Sequence, residues 1–482
     1  MTPNPGPRRA PRAREERGAK ALSILVRAAA GLLALAVMAG LGPSGCGESA
    51  PGAAGQGRPL VNGVLIGVAW PGDADGFVDG VRLAVDEINR AGGLLREPVR
   101  ILVDHREGGL QHPPGPAAGA AVLDRDIARR IALDLSGPGV AAVVGHRDPA
   151  LAIPAAAIYQ RRGVLYLSPT SSTLSLTAFG FGLVFRQQPD NALLARAIAD
   201  YFGIRAYRRI VVAQALGDSA RELAALSIQL SAERHGIQTA AHRTFPPGAS
   251  DRQIRALAVA LSRIDRPDAV LLVGNRTDSL RLYRELRRRG VTAPVYGDQG
   301  LDTAAFWSAL AQWRPATGVP AGFFVPTVAD LRSGVALRFA QTYTRTYGHA
   351  PERLSAVGYD ALKLIAQGVI LARAGVLGKQ ATTPLQIADE LRYMRGCVGA
   401  AGSYRFFDNG NLRDTTMFVK SLADSPDAPA GAGANRRTDS GAPEFAFEQI
   451  GDASGLGLPE CGDPRQDRGT IADQPAAVER PR

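Results

Sequence analysis

Cysteine is scarce, three in 482 residues. That excludes a disulfide-dense scaffold and a four-cysteine zinc site. The six histidines, His105, His112, His146, His235, His242 and His349, stand apart without ligand spacing, so no metal centre and no cofactor are expected. The chain lacks a G-x-x-x-x-G-K-S/T phosphate loop and a G-x-S-x-G nucleophile elbow. It also lacks a G-x-G-x-x-G after its first apolar run. Nothing therefore marks it as an enzyme of those classes. Glycine (55) and proline (33) follow no three-residue period, which excludes collagen. Charge of neither sign dominates, with 56 Lys+Arg against 45 Asp+Glu. Residues 1–45 hold seven basic and two acidic residues, a net of +5, which leaves +6 of the total +11 for the rest of the chain. No basic stripe is interleaved with aromatics, so nucleic acid is not an expected partner.

What remains is the composition of a globular protein, 45% hydrophobic and 21% charged. The length is enough for two or three domains. The beginning reads as an address. A basic stretch precedes the apolar run Ala28–Leu41, too short for the roughly 20 residues of a spanning helix. Residues 1–45 are therefore expected to be a secretory signal peptide. Its exit, Leu41-Gly-Pro-Ser-Gly-Cys46, resembles a bacterial lipobox, with Pro43 where leucine is preferred. That resemblance implies lipidation of Cys46; plain secretion and an uncleaved anchor are the alternatives. Residues 46–59 are expected to be the lipidated cysteine and a flexible Gly/Pro/Ala tether. With Cys46 lipidated, Cys397 and Cys461 remain, either as a disulfide or as two free thiols.

From Val61 onward short apolar runs alternate with amphipathic stretches. VLIGVAW (64–70) reads as a buried strand. Val78, Val81, Val85 and Ile88 then share one helix face over 77–90, and Ala91-Gly92-Gly93 ends that helix. Strands follow at 99–105, 140–144, 164–168, 209–213, 238–245, 269–273 and 294–297. Helices fall between them at 149–162, 190–202, 219–235, 251–264 and 277–289. This alternation predicts a doubly wound α/β fold with parallel sheets, which binds ligands at the carboxyl ends of its strands. Residues 331–348 and 355–375 read as two long helices, the second a core helix. Strands are expected at 402–407, 415–422 and 444–450, with 423–443 a low-complexity, disordered loop. No other segment reads as long and apolar enough to span a membrane.

Several strings in sequence carry a resemblance. They are IGVAWPG (66–72), GFVDGVRLAVDEINRAGGLLREPVRILVDH (76–105), VAAVVGH (140–146) and IYQRRGVLYLSPTSSTLSLT (158–177). FRQQPDN (185–191), the Tyr347-Gly348 to Gly358-Tyr359-Asp360-Ala361 run and GSYRFFDNGN (402–411) complete the set. Over about 60–422 the chain resembles the type I periplasmic ligand-binding proteins, the branch of leucine/isoleucine/valine- and amide-binding proteins. The resemblance implies two doubly wound parallel-sheet lobes joined by a hinge, with a ligand in the cleft. By that analogy lobe 1 is 60–188 plus 327–395, lobe 2 is 189–326 plus 396–455, and 456–482 is a tail.

The resemblance places Thr170, Ser171 and Ser172 on an amino acid's carboxylate and ammonium; otherwise they form a capping turn. His146 and Arg147 follow strand 140–144, with Pro149 where relatives carry a carboxylate-binding serine. Arg147 is then either an anion contact or a rim charge. Trp70 is either a cleft wall or lobe packing. Asp218, Ser219, Asn275 and Gln299 are the second-lobe candidates, with Asp218 or Asp298 to pair an ammonium. That pocket reads as more polar than a leucine site. The implied function is that of an extracytoplasmic lipoprotein, a monomer that captures a small polar solute for an ABC permease. A ligand-sensing receptor of the same fold is the alternative.

Overall fold

Runs of branched apolar residues, buried on both faces, make the sheets. The computed structural model describes residues 63–94, 96–109, 117–313, 322–332, 334–375, 382–422, 445–450 and 458–462. The expected signal peptide, the lipidated cysteine with its tether, the 423–443 loop and most of the tail lie outside these residues. The chain opens with β1 (Val64–Ala69), α1 (Phe77–Arg90), β2 (Val99–Asp104), α2 (Ala117–Leu135), β3 (Val140–Gly145), α3 (Pro149–Arg162), β4 (Leu165–Ser168) and β5 (Val184–Arg186). Their strands form a parallel sheet in the order β2-β1-β3-β4-β5.

The chain then crosses to a second lobe. This comprises α4 (Asn191–Ile204), β6 (Arg209–Ala215), α5 (Asp218–His235), β7 (Gln238–Phe245), α6 (Asp251–Ser262), β8 (Ala269–Val273), α7 (Arg276–Arg288), β9 (Val295–Gly297), α8 (Ala304–Ala311) and β10 (Phe323–Thr327). It returns as α9 (Gly334–Tyr347), α10 (Arg353–Gly375), α11 (Pro384–Tyr393) and the two-residue strands β11 (Cys397–Val398) and β12 (Ser403–Tyr404). A last crossing adds β13 (Met417–Leu422) and β14 (Phe445–Ile450). The second sheet runs β14-β13-β10-β9-β8-β6-β7, parallel except for the antiparallel β10-β13-β14 edge. The two-lobed α/β fold is as the sequence predicts.

The Glu87-Ile88-Asn89 string has a structural cause. The Asn89 amide donates to Val99 O (2.9 Å) and accepts from Val99 N (2.8 Å), tying the end of α1 to the start of β2. Glu87 accepts from Tyr359 Oη (2.6 Å) and pairs with Lys363 (2.9 Å), tying α1 to α10. The two helices touch backbone to backbone: a Cβ on Gly80 would lie 1.9 Å from Ser355 O.

Two expectations are corrected here. The last boundary moves from 395/396 to between Leu412 and Met417, because Cys397, Tyr404, Phe406 and Leu412 pack in the first lobe's core. The buried Asp360 carboxylate fixes that segment, accepting from Ala400 N (2.7 Å), Ala401 N (2.6 Å) and Tyr404 Oη (2.6 Å). A Cys397–Cys461 disulfide brings a piece of the expected tail to the same core. Second, Arg353–Arg373 is long and apolar enough to cross a membrane. Most of it is buried among first-lobe side chains, as a core helix is.

Candidate functional site

A cavity of about 680 Å³ lies between the lobes. Its first-lobe wall is the pair of loops after β3 and β4. Its second-lobe wall is the set of turns after β6, β8 and β9. This is where the carboxyl ends of parallel strands converge. The starts of α3, α4, α5, α7 and α10 also reach the cavity. Helix starts present N–H groups and positive dipole ends, so the cleft favours anionic groups. Asp148, Asp190 and Asn275 cap α3, α4 and α7 with their side chains. The Gly217 cap of α5 has no side chain to offer.

The first-lobe loops are braced from behind. Thr170 Oγ1 donates to Arg147 O (2.8 Å) and His146 O (3.2 Å), joining the two loops. Arg186, buried at the end of β5, donates to Ser171 O, to Thr173 O (2.6 Å) and to Asn411 Oδ1 (2.8 Å). Burial pulls its pKa down to about 10, so it remains a cation at neutral pH. Glu107 accepts from Arg147 N (3.1 Å) and pairs with His146 Nδ1, whose other ring nitrogen meets Tyr159 Oη (3.0 Å).

Six of the expected residues line the cavity, Arg147, Thr170, Ser172, Asp218, Asn275 and Gln299, and so do the further candidates Ser219 and Asp298. Three do not. Trp70 is buried, stacked on Phe77 with ring centroids 3.7 Å apart and its indole N–H on Asp75 (2.9 Å). His146 is buried in the Glu107–Tyr159 chain, and Ser171 is buried with its hydroxyl 3.5 Å from Thr173 Oγ1. Each serves packing or bracing behind the wall. Of the six, Asp218 has a 90% exposed side chain paired with Arg221 (2.6 Å), so it is a rim charge. Asn275 is occupied as a helix cap, accepting from Asp278 N (2.9 Å). Among the described residues the buried Gln299 Oε1 has no hydrogen-bond partner.

Asp298 is the cleft's enclosed acid. Burial pushes its pKa up to about 6, against the backbone N–H groups of Gly274 (3.0 Å) and Gly300 (2.8 Å) that it accepts from. Sequence reasoning missed Arg353, Asn191 and Thr173, which also line the cavity. Asn191 closes the FRQQPDN string, and Arg353 sits just before the Gly358-Tyr359-Asp360 run, so their neighbours carried a signal. The wall also includes Ile153, Leu194, Leu216, Leu223 and Val273, more aliphatic than expected. Lobe-to-lobe contacts close one side: Ser172 Oγ meets Ser219 Oγ (3.3 Å), and Glu222, itself held by Asn191 Nδ2 of its own lobe (2.7 Å), accepts from Leu174 N (3.0 Å). Among the described residues no cluster of His, Cys, Asp and Glu is arranged to hold a metal ion.

A cleft between two parallel-sheet lobes, lined by loops and helix starts from both, defines a two-lobed binding protein for small molecules. The model of the family described as periplasmic binding protein matches residues 123–425, and the chain belongs to that family. Its role is solute binding, and the family acts outside the cytoplasm. The chain is similar to Leu/Ile/Val-binding protein homolog 3 of Brucella melitensis, 24% identical over 364 residues, covering 74% of this chain and 90% of that protein. It is similar to the leucine-, isoleucine-, valine-, threonine-, and alanine-binding protein of Pseudomonas aeruginosa, 26% identical over 225 residues, covering 46% of this chain and 55% of that one. Among solved structures, an ABC transporter substrate-binding protein from Desulfitobacterium hafniense in complex with Leu shares the fold. Its TM-score is 0.60 at 23% identity, over 79% of this chain and 99% of that one. The branched-chain amino acid transporter substrate binding protein LivJ of Streptococcus pneumoniae, in complex with isoleucine, gives a TM-score of 0.60 at 20% identity, over 80% and 99%.

Proposed function

We propose that this chain is the solute-binding component of an ABC importer, lipid-anchored through Cys46. It captures a small polar solute with a carboxylate, an amino acid, amide or related acid, and delivers it to a membrane permease. The carrying observation is the cavity between the lobes, lined by the starts of five helices and by Thr170, Ser172 and Thr173 of one loop. These donors suit a carboxylate, and Asp298 suits an ammonium. The relatives' printed ligands support the amino acid class. Ligand contacts from both walls favour the closed arrangement of the lobes over the open one.

Thermal unfolding of the full-length chain, screened against amino acids, amides, small carboxylates, polyamines and sugars, tests this. A true ligand at about 100 times its Kd stabilises by about 2.7 kcal/mol, a rise of several degrees in midpoint. The expected result is a reproducible rise with carboxylate-bearing solutes. A cooperative transition that no carboxylate-bearing solute moves would overturn the proposal.

A further inference from the structure

Arg353 opens α10 and lines the cleft with a side chain only 7% exposed. Among the described residues its guanidinium makes one hydrogen bond, Nη1 donating to the neutral Gln188 Oε1 (3.2 Å). Its Nε has no hydrogen-bond partner. The carboxylates around it are already engaged. Asp302 lies 3.9 Å from Nε but accepts from Lys420 Nζ (2.8 Å), Thr327 Oγ1 (2.7 Å) and Trp307 Nε1 (2.7 Å). Asp298 is held by the N–H groups of Gly274 and Gly300. Glu352 accepts from Ala304 N (3.0 Å). Asp75 takes the Trp70 indole and lies 3.4 Å from Arg147 Nη1.

Arg147 stands on the same cavity wall. Burial, together with the charge of Arg147, pulls the Arg353 pKa below its ordinary value despite the pull of Asp302. A buried guanidinium with free donors, beside a second guanidinium, is stabilised by an anion placed against it. The planar fork of arginine matches a carboxylate in particular.

We propose that Arg353 is a specificity-determining residue that takes a second anionic group, so that the cleft selects acidic amino acids over their neutral counterparts. This rests on the amino-acid reading of the cleft. The α-carboxylate then falls to the 170–173 loop and the start of α5, the ammonium to Asp298, and the side-chain carboxylate to Arg353. Glutamate and glutamine are nearly equal in size and differ in that charge, so their affinity ratio isolates the contribution of Arg353.

Calorimetric titration of the full-length chain with L-glutamate, L-glutamine and L-leucine tests it. Glutamate is expected to bind at least about tenfold tighter than glutamine. Arg353→Met, similar in length and uncharged, collapses that ratio to about one, whereas Arg353→Lys keeps a preference for glutamate. The lysine variant keeps the test decisive should the methionine variant fail to fold. Glutamine or leucine binding as tightly as glutamate, or an unchanged ratio in Arg353→Met, overturns the inference while leaving the amino-acid reading intact. No binding of any of the three overturns both.

Discussion

The two walls of the cleft are built differently. Behind the first-lobe wall lies a buried polar scaffold: Arg186 holds the 171–173 backbone, and Glu107 holds His146 and the Arg147 amide. The second-lobe wall is made of helix starts and short turns. There, among the described residues, Asp298 accepts from the backbone N–H groups of Gly274 and Gly300, and the α5 cap is a bare glycine. A wall held by buried side chains keeps its shape before ligand arrives, which lowers the ordering cost of binding. A wall of backbone donors adapts as the lobes approach. The first lobe is thus suited to receive the solute and the second to close on it, a division that hinge closure needs.

Removing the brace behind the first wall gives the largest expected effect. Arg186→Ala leaves Ser171 O, Thr173 O and the half-buried Asn411 Oδ1 without this donor. Each unpaired buried acceptor costs about 1–3 kcal/mol, so the variant is expected to lose about 3–5 kcal/mol. Ligand affinity should fall with stability, because the 170–173 loop loses its anchor. Thermal unfolding and titration of the same variant measure both. A loss below about 1 kcal/mol would erase the contrast between the walls.

Much of the first lobe was legible in the sequence, and the reason is physical. Parallel strands buried on both faces read as apolar runs, and the helix over 77–90 shows its face through Val78, Val81, Val85 and Ile88. The 165–168 strand and its Ser/Thr loop were legible for the same reason. Side-chain direction was not. Ser171 and Ser172 are adjacent and chemically alike, yet Ser171 is buried behind the wall and Ser172 lines the cavity. Trp70 and His146 end strands that point at the cleft, but their rings turn into the lobe toward Phe77 and Glu107. Spacing along a strand gives the face; the turn that follows decides which neighbour faces the ligand. Arg353 escaped notice because it lies far in sequence from the strand-end loops that line the cleft and directly precedes what reads as a core helix.

On the second wall the expected effect is smaller and depends on pH. The folded pKa of Asp298, near 6, lies above the ordinary value of 3.8 because of burial. Its carboxylate is therefore charged at neutral pH and takes up a proton as pH falls through about 6. For stability, a raised carboxyl contributes most below its unfolded pKa, and that contribution is lost as pH rises through the folded value. For binding the sign is opposite: an ammonium-bearing ligand needs the charged form. Affinity for glutamine should drop about tenfold between about pH 7.5 and about pH 5. Asp298→Asn should flatten that dependence. A profile equally steep in the variant would move the titrating group elsewhere.

The smallest expected effect sharpens the comparison most. Ser219 sits at the start of α5, where its hydroxyl meets Ser172 Oγ across the cleft (3.3 Å) and Asn191 Nδ2 (3.4 Å). Both contacts are long, and Asn191 keeps its shorter bond to Glu222 (2.7 Å) without them. Ser219→Ala should therefore cost less than about 1 kcal/mol in thermal unfolding. If the second wall is shaped by backbone donors, the α5 amides remain and ligand affinity should weaken only modestly. A loss as large as that of Arg186→Ala would show that the second wall, too, depends on side chains for its shape, and the receiving and closing roles would no longer separate by lobe.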